Sequence, residues 1–287
     1  MPAIDRRWII LLCLFLGRTA LGVQFQSLVS VGEQVADEMG LSYAELGTLI
    51  GFMFLPGLVL AFPTGWLARW MSDRAAVTLG LALVAAGGGV AAAAGSFDGI
   101  ATGRAITGIG FVICSLYFTK MVADWFAGRE IAAAMGILTM SWPAGIAISQ
   151  VTHGAVGQTF GWQTAIATAT IYGFAAAMLV GMTYRSPHAA ATQGRVGGEM
   201  RLTRREWWLT GIAALSWSGF NAGYAVYLSF AAQVLITRGV DAVAATATVS
   251  IASWAMIVSL PLGGVLADWS KRPDTVLFIS MAAAITG

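Results

Sequence analysis

Apolar residues occur along this chain in long runs, and polar residues collect in short clusters between them. A helix needs roughly 20 apolar residues to cross the roughly 30 Å hydrocarbon core of a bilayer. Eight segments reach that length, approximately residues 8–31, 44–67, 75–95, 99–119, 131–151, 164–182, 207–236 and 242–267. A ninth begins near Thr275 and stops at Gly287, short of a full span, so the sequence is expected to break off within a helix. The first run follows Asp5, Arg6 and Arg7 as a signal peptide would. It continues to Val31 without a small-residue cleavage pattern, which predicts a retained span.

The polar clusters set the organisation. Residues 184–206 hold Pro187, Gly194, Gly197, Gly198 and five arginines with almost nothing apolar to bury, the composition of a flexible linker. The expected architecture is an all-α polytopic membrane protein. Residues 1–183 form a six-helix amino-terminal bundle, 184–206 a cytoplasmic linker, and 207–287 the first two to three helices of a carboxy-terminal bundle.

Cations fix the orientation, because short cytoplasmic loops collect Lys and Arg. With the amino terminus inside an inner (plasma) membrane, thirteen of the sixteen fall in inner segments. These are Arg6, Arg7, Arg69, Arg74, Lys120, Arg129, the linker arginines Arg185, Arg195, Arg201, Arg204 and Arg205, then Lys271 and Arg272. Arg238 alone lies outside, and the remaining two, Arg18 and Arg104, lie within apolar runs.

Composition agrees with the pattern. The chain is 57% hydrophobic and 10% charged, against about 25% charged in a soluble domain; its mean hydropathy is +0.75. The net charge of +2 is topological, since no basic run interleaved with aromatics offers a nucleic-acid surface. Cys13 and Cys114 both sit in apolar runs and read as small buried hydrophobes. We expect no cofactor, metal or catalytic centre: there is no phosphate-cradling loop, no nucleophile with a base at usable spacing and no ligand cluster.

An internal repeat gives the sharpest signal. Gly65-Trp66-Leu67-Ala68-Arg69-Trp70 aligns with Gly264-Val265-Leu266-Ala267-Asp268-Trp269 at a constant offset of 199 residues, with Pro63 and Pro261 ahead of each. The second copy, followed by Lys271 and Arg272, resembles the Gly-x-Leu-Ala-Asp loop signature of the major facilitator superfamily. Gly103-Arg104-Ala105-Ile106-Thr107-Gly108 resembles the fourth-helix Arg-x-x-x-Gly pattern of that family, and Asp124 to Glu130 with Met135-Gly136 its fifth-helix entry. The seventh and eighth spans resemble the small-anion permeases of the cyanate and nitroimidazole type. The resemblance implies a transporter whose first, fourth, seventh and tenth helices line a cavity. It also implies inner-gate roles for Gly65, Arg69, Gly264, Asp268 and Arg272. Arg69 stands where the family has Asp, and a pairing with Glu130 or Asp124 is the expected repair.

Arg18 lies near mid-membrane, where a charge costs roughly 2.5–3.5 kcal/mol to insert. No span interior holds an Asp or Glu to pair with it. Water, backbone carbonyls, helices beyond residue 287 or an anionic substrate remain as partners, and a substrate carboxylate suits a planar guanidinium. Helical spacing places Gly22, Phe25 and Gln26 on its face. Arg104 either snorkels outward to Asp98 or faces the cavity with Gly108 and Phe111. Trp217, at the same 199-residue offset from Arg18, shares a face with Phe220, Asn221 and Tyr224, either as packing or as an aromatic wall opposite the arginine. Trp142-Pro143 predicts a bend in the fifth span, and His153 is expected to be an exposed interfacial histidine or part of a proton path.

The function expected is alternating-access transport of a small solute, an organic or inorganic anion, by a monomer in the bilayer, with a proton as a candidate co-substrate. A drug or metabolite efflux carrier of the same fold would favour buried acids, which these spans lack. A ten-helix transporter would repeat after five spans rather than six, and a membrane sensor would carry a soluble output domain.

Overall fold

The computed structural model describes residues 6–128, 130–187 and 203–286; Arg129, Arg195, Arg201 and most of the expected linker lie outside the described residues. Every described element is a helix. In chain order these are α1 (Arg6–Ser30), α2 (Gly32–Met39), α3 (Tyr43–Gly51), α4 (Leu55–Trp66) with a 3-10 turn at Leu67–Arg69, α5 (Asp73–Ala92) and α6 (Phe97–Phe126). They continue with α7 (Ile131–Phe160), α8 (Trp162–Thr183), α9 (Arg204–Thr237), α10 (Ala242–Ser270) and α11 (Pro273–Thr286). Among the described residues, eight helices are long and apolar enough to cross a membrane. The chain divides into two compact units, Met1–Pro187 with Ser253–Gly287, and His188–Ala252.

In the first unit α1 packs on α7 and α8, α5 packs on α6 and α8, and α4 lies along α6. Lipid is as apolar as leucine, so helices associate in a membrane by close van der Waals approach over small residues. The α5–α6 seam shows this. Gly80 faces Gly110 and Gly87 faces Gly103, so that a Cβ on any of the four would strike the opposing helix. Each pair is seven residues apart along its own helix, the spacing that keeps one face in register. Gly22 of α1 and Gly145 of α7 make the equivalent contact between their helices, backbone against backbone.

Local sequence sets the ends. Gly40, in the left-handed region at φ 67°, terminates α2, and a Ser42–Glu45 capping box opens α3. Glu38 accepts hydrogen bonds from Trp162 Nε1 (2.8 Å) and Gln163 Nε2 (3.4 Å), fastening α2 to the start of α8. Two helices outrun their apolar segments. At 30 residues each, α6 and α7 are about 45 Å long, and the α6 overhang is polar, with Lys120 bridging Asp73 (2.6 Å) and Asp124 (3.0 Å).

The second expected span is broken. Turn residues Phe52–Phe54 separate α3 from α4, and Pro56 at the start of α4 cannot supply an amide to continue the ladder. The Phe54 amide turns back to the Gly51 carbonyl.

Candidate functional site

Both intramembrane arginines donate to backbone carbonyls of neighbouring helices, some of them freed by helix irregularities. Pro143 sits inside α7 and has no N–H, so the carbonyl four residues earlier, that of Thr139, lacks its usual donor. Arg18 Nη1 donates to Leu138 O (2.8 Å), Ser141 Oγ (3.1 Å) and more distantly Thr139 O (3.5 Å). Gly22 and Gly145 bring α1 near enough to α7 for that reach. Of the partners open to Arg18, the structure supplies backbone carbonyls, on one nitrogen only. Its Nε is buried without a hydrogen bond, and no bond to Nη2 forms among the described residues. The outer edge of a guanidinium, Nε with one terminal nitrogen, is the edge that grips a carboxylate with two parallel bonds, and here it makes no hydrogen bond among the described residues.

Arg104 corrects an expectation. It neither snorkels outward nor pairs with Asp98. It is 2% exposed and donates from Nε to Leu49 O (3.4 Å), from Nη1 to Gln24 O (3.1 Å) and from Nη2 to Ile50 O (3.3 Å). The break after α3 leaves the Ile50 carbonyl to it, and Gly108, one turn away, admits the Met53 carbonyl and the Pro56 ring where a Cβ would collide. Arg104 thus ties α6 to α1 and to the broken span.

His153 is likewise not exposed. At 4% exposure it lies between α7 and α8, with Nδ1 near Thr152 Oγ1 (3.1 Å) and Ser149 O (3.3 Å) and Nε2 near Thr168 Oγ1 (3.2 Å). Gln26 donates to Ser30 Oγ (3.4 Å), and its Oε1 is buried without a donor.

Four aromatic rings meet one another: Phe25 of α1, Phe54 at the head of α4, Phe111 of α6 and Trp142 of α7. Phe54 and Trp142 had no sequence signal as a pair, since their contact partners lie far away in the chain. In the second unit, Trp217, Phe220 and Tyr224 form a ladder on α9 with centroid separations of 6.1 and 6.2 Å. Asn221 Nδ2 donates to the Trp217 carbonyl of its own helix (2.8 Å).

The basic end of the first unit carries the gate candidates. The residue preceding α7 is Glu130, in the left-handed region (φ 51°) and making no side-chain cap. The vacant first-turn amides of α7 are taken from another helix: Asp268 accepts from Ala133 N (2.7 Å) and Ala132 N (3.4 Å). A carboxylate there satisfies orphan donors and meets the positive end of the helix dipole. Gly264 makes the approach feasible, because a Cβ would strike the Ala132 carbonyl. In the first copy of the repeat, Gly65 has open space about it and Arg69 is exposed; Arg272, in the second, is exposed as well.

The expected repair by Arg69 is not made. Glu130 pairs with Arg7 (2.9 Å) and Asp124 with Lys120 (3.0 Å). A charge swap checks this: the defect of Glu130→Lys, read as loss of detergent-solubilised thermostability, is expected to be recovered by Arg7→Glu and not by Arg69→Glu. The pair is partly exposed, so the coupling is about 1 kcal/mol or less, a shift of a few degrees.

Eight apolar helices among the described residues, several of them packed over small residues, define a polytopic α-helical membrane protein. Residues 7–287 match the family model of the Major Facilitator Superfamily, and the chain belongs to that superfamily. Its fold is the six-span amino-terminal bundle with the first helices of the carboxy-terminal one. No curated protein is matched by the sequence. Among solved structures it is similar to a bacterial homolog of the human lysosomal transporter Spinster in an inward-facing, occupied conformation. The two share 20% identity at a TM-score of 0.68 over 91% of this chain and 61% of the other. It is also similar to a D-xylose-proton symporter (15%, TM-score 0.64, 90% and 68%) and to a mutant peptide transporter POT in complex with alafosfalin (18%, TM-score 0.53, 79% and 47%). These likenesses are of fold. The chain spans about 61% of the length of the Spinster homolog.

Proposed function

We propose that the protein is a secondary transporter that moves a small organic anion across the inner membrane by alternating access. Residues 1–183 and 207–287 belong to two halves joined by a cytoplasmic linker at 184–206, and the amino terminus is cytoplasmic. The observation that carries this reading is Arg18. It is a mid-span guanidinium anchored through one nitrogen to the turn before Pro143, with its carboxylate-gripping edge unpaired. No described span has an acid in its interior; each Asp or Glu lies near a helix end. An unpaired cation among apolar helices recruits an anion, and a cationic drug would be repelled. This supports the anion reading, and with it the likeness to the cyanate and nitroimidazole permease group, over efflux of cations.

Gln26 belongs to the proposed site, while Arg104 holds α1 and the broken span in place around it; Trp217, Asn221 and Tyr224 on α9 are substrate-binding residues of the second half in the same reading. Asp268 and Gly264, with Arg272, with Gly65 and Arg69 of the first repeat loop, and with Glu130 before α7, form the inner gate. A co-transported proton belongs to the same reading, and buried His153 is the group suited to carry it. The working unit in this reading is a monomer.

The test is uptake by the full chain in proteoliposomes. Arg18→Gln should lower carboxylate uptake by about 100-fold or more, the scale of losing a charge-assisted bidentate pair, with protein yield and orientation unchanged. Uptake equal to that of the unaltered protein would refute the assignment.

A further inference from the structure

The rings of Phe25, Phe54, Phe111 and Trp142 close a circuit. Successive centroids are 5.6 Å (Phe25 to Phe54), 5.7 Å (Phe54 to Phe111), 5.5 Å (Phe111 to Trp142) and 5.4 Å (Trp142 back to Phe25). Two contacts are edge-on, at interplanar angles of 88° and 62°, the arrangement that sets a ring's positive rim against its neighbour's negative face. Four chain segments contribute one ring each. In a bilayer no hydrophobic force drives such a gathering, since lipid tails solvate aromatic rings as well as other side chains do. The cluster is also not sealed: Phe25 is buried, but Phe54 is 38% exposed and Phe111 and Trp142 are partly so.

Its position relates it to Arg18. Trp142 follows Ser141, whose hydroxyl accepts from the Arg18 guanidinium, and the Trp142 carbonyl lies against Gly22, one turn along α1 from Arg18. Phe25 is two turns along the same face. On the α6 side the registers agree, because Phe118 packs at Gly17 and Phe111 is two turns earlier on a helix running the opposite way. Measured along α1 from the Arg18 position, the rings therefore begin about one turn, roughly 5 Å, further on and extend a further turn.

A bare inorganic anion or a formate-sized carboxylate would fill the arginine edge and leave the rings untouched. An anion whose carboxylate is followed, within one or two bonds, by a flat ring would satisfy both at once, its carboxylate in two parallel bonds to Nε and Nη2 and its ring in edge and face contacts with the cluster. We infer that the substrate is an aromatic carboxylate, recognised at its head by Arg18 and at its ring by Phe54, Phe111 and Trp142. This inference rests on the anion-transport reading and narrows it from small anions in general to one chemical class.

Three probes of graded character test it in proteoliposomes of the full chain: benzoate, cyclohexanecarboxylate, which keeps the head and bulk but lacks the flat π face, and nitrate. Benzoate should compete for labelled benzoate uptake at concentrations about fivefold or more below those needed for cyclohexanecarboxylate, the scale of one or two aromatic contacts, and nitrate should compete weakest. Phe111→Leu and Phe54→Leu should bring the ratio of the two acids toward one by weakening benzoate more than cyclohexanecarboxylate, and Arg18→Gln should remove uptake of both. Size-exclusion profiles confirm that each variant is folded, and the probe series on the unaltered protein needs no variant. Equal competition by the two acids, a ratio unmoved in both leucine variants, or uptake of nitrate without either acid would overturn the aromatic assignment while leaving anion transport standing. Uptake of all three probes indifferent to Arg18→Gln would instead overturn the underlying reading.

Discussion

Leucine in place of Gly145 is expected to abolish the folded amino-terminal bundle. The Gly145 Cα lies against Gly22, and a Cβ there would strike the Thr19 carbonyl and approach Val23 N to 2.8 Å. Those neighbours are helix backbone, so no rotamer change relieves the clash. Separating the two helices would also draw Arg18 away from Leu138 O and Ser141 Oγ, leaving a charge among apolar helices. The combined cost is about 3 kcal/mol or more, the upper end for overpacking. The expected readout is loss of the monodisperse peak on detergent size exclusion. Gly154→Ala, on the same helix with nothing within 4 Å of the added carbon, should keep that peak and the unaltered melting temperature. A stable, monodisperse Gly145→Leu protein would contradict the close approach of α1 and α7.

Removing the Asp268 carboxylate is expected to open the contact between α10 and the start of α7. The side chain is the acceptor for the amides of Ala132 and Ala133, a duty that Glu130, turned toward Arg7, does not perform. A helix cap is worth about 1 kcal/mol, with up to about 2 kcal/mol in favourable settings, and the charge–dipole attraction adds to it. The contact-making population should fall about fivefold or more in Asp268→Ala. Asp268→Asn should fall between, since it keeps one acceptor and loses the charge. Rates of maleimide labelling at an Ala132→Cys thiol, with Cys13 and Cys114 replaced by serine, measure this directly. Equal rates in the three proteins would show that the carboxylate does not hold the contact.

Much of this architecture was legible from the apolar runs alone. Their length fixed the number and order of spans, because a helix in lipid must satisfy its backbone internally over the whole apolar stretch. The ends of α6 and α7 were not legible, since both continue past the apolar run as ordinary helix, that of α6 held by Lys120, Asp73 and Asp124. The break at Phe52–Phe54 was hidden too; Pro56 and Pro63 permit a continuous bent helix as readily as an interruption. At the candidate site, Arg18 was conspicuous as a charge in an apolar run, but its partners are carbonyls 120 residues away that no pattern marks. One signal was present: a proline four residues beyond Thr139 announces a carbonyl without a donor. For Arg104 and His153 the sequence left an outward-facing and an inward-facing reading open, because depth along a span says nothing of which face is covered. Glu130 was assigned to the wrong arginine for a similar reason, since Arg7, before the first span, returns to it only in three dimensions. The seven-residue spacing within Gly80/Gly87 and Gly103/Gly110 did carry the α5–α6 seam in the sequence.

The central claim, that the vacant edge of the Arg18 guanidinium is where the anion docks, is tested most directly by nitrogen-15 resonances of Arg18 in the full chain reconstituted in lipid and titrated with benzoate. The Nε signal should move saturably, since its proton gains an acceptor, while the Nη1 signal, already committed to Leu138 O and Ser141 Oγ, should stay within a small fraction of that shift. An Nε resonance that remains in place through concentrations saturating uptake would contradict the account.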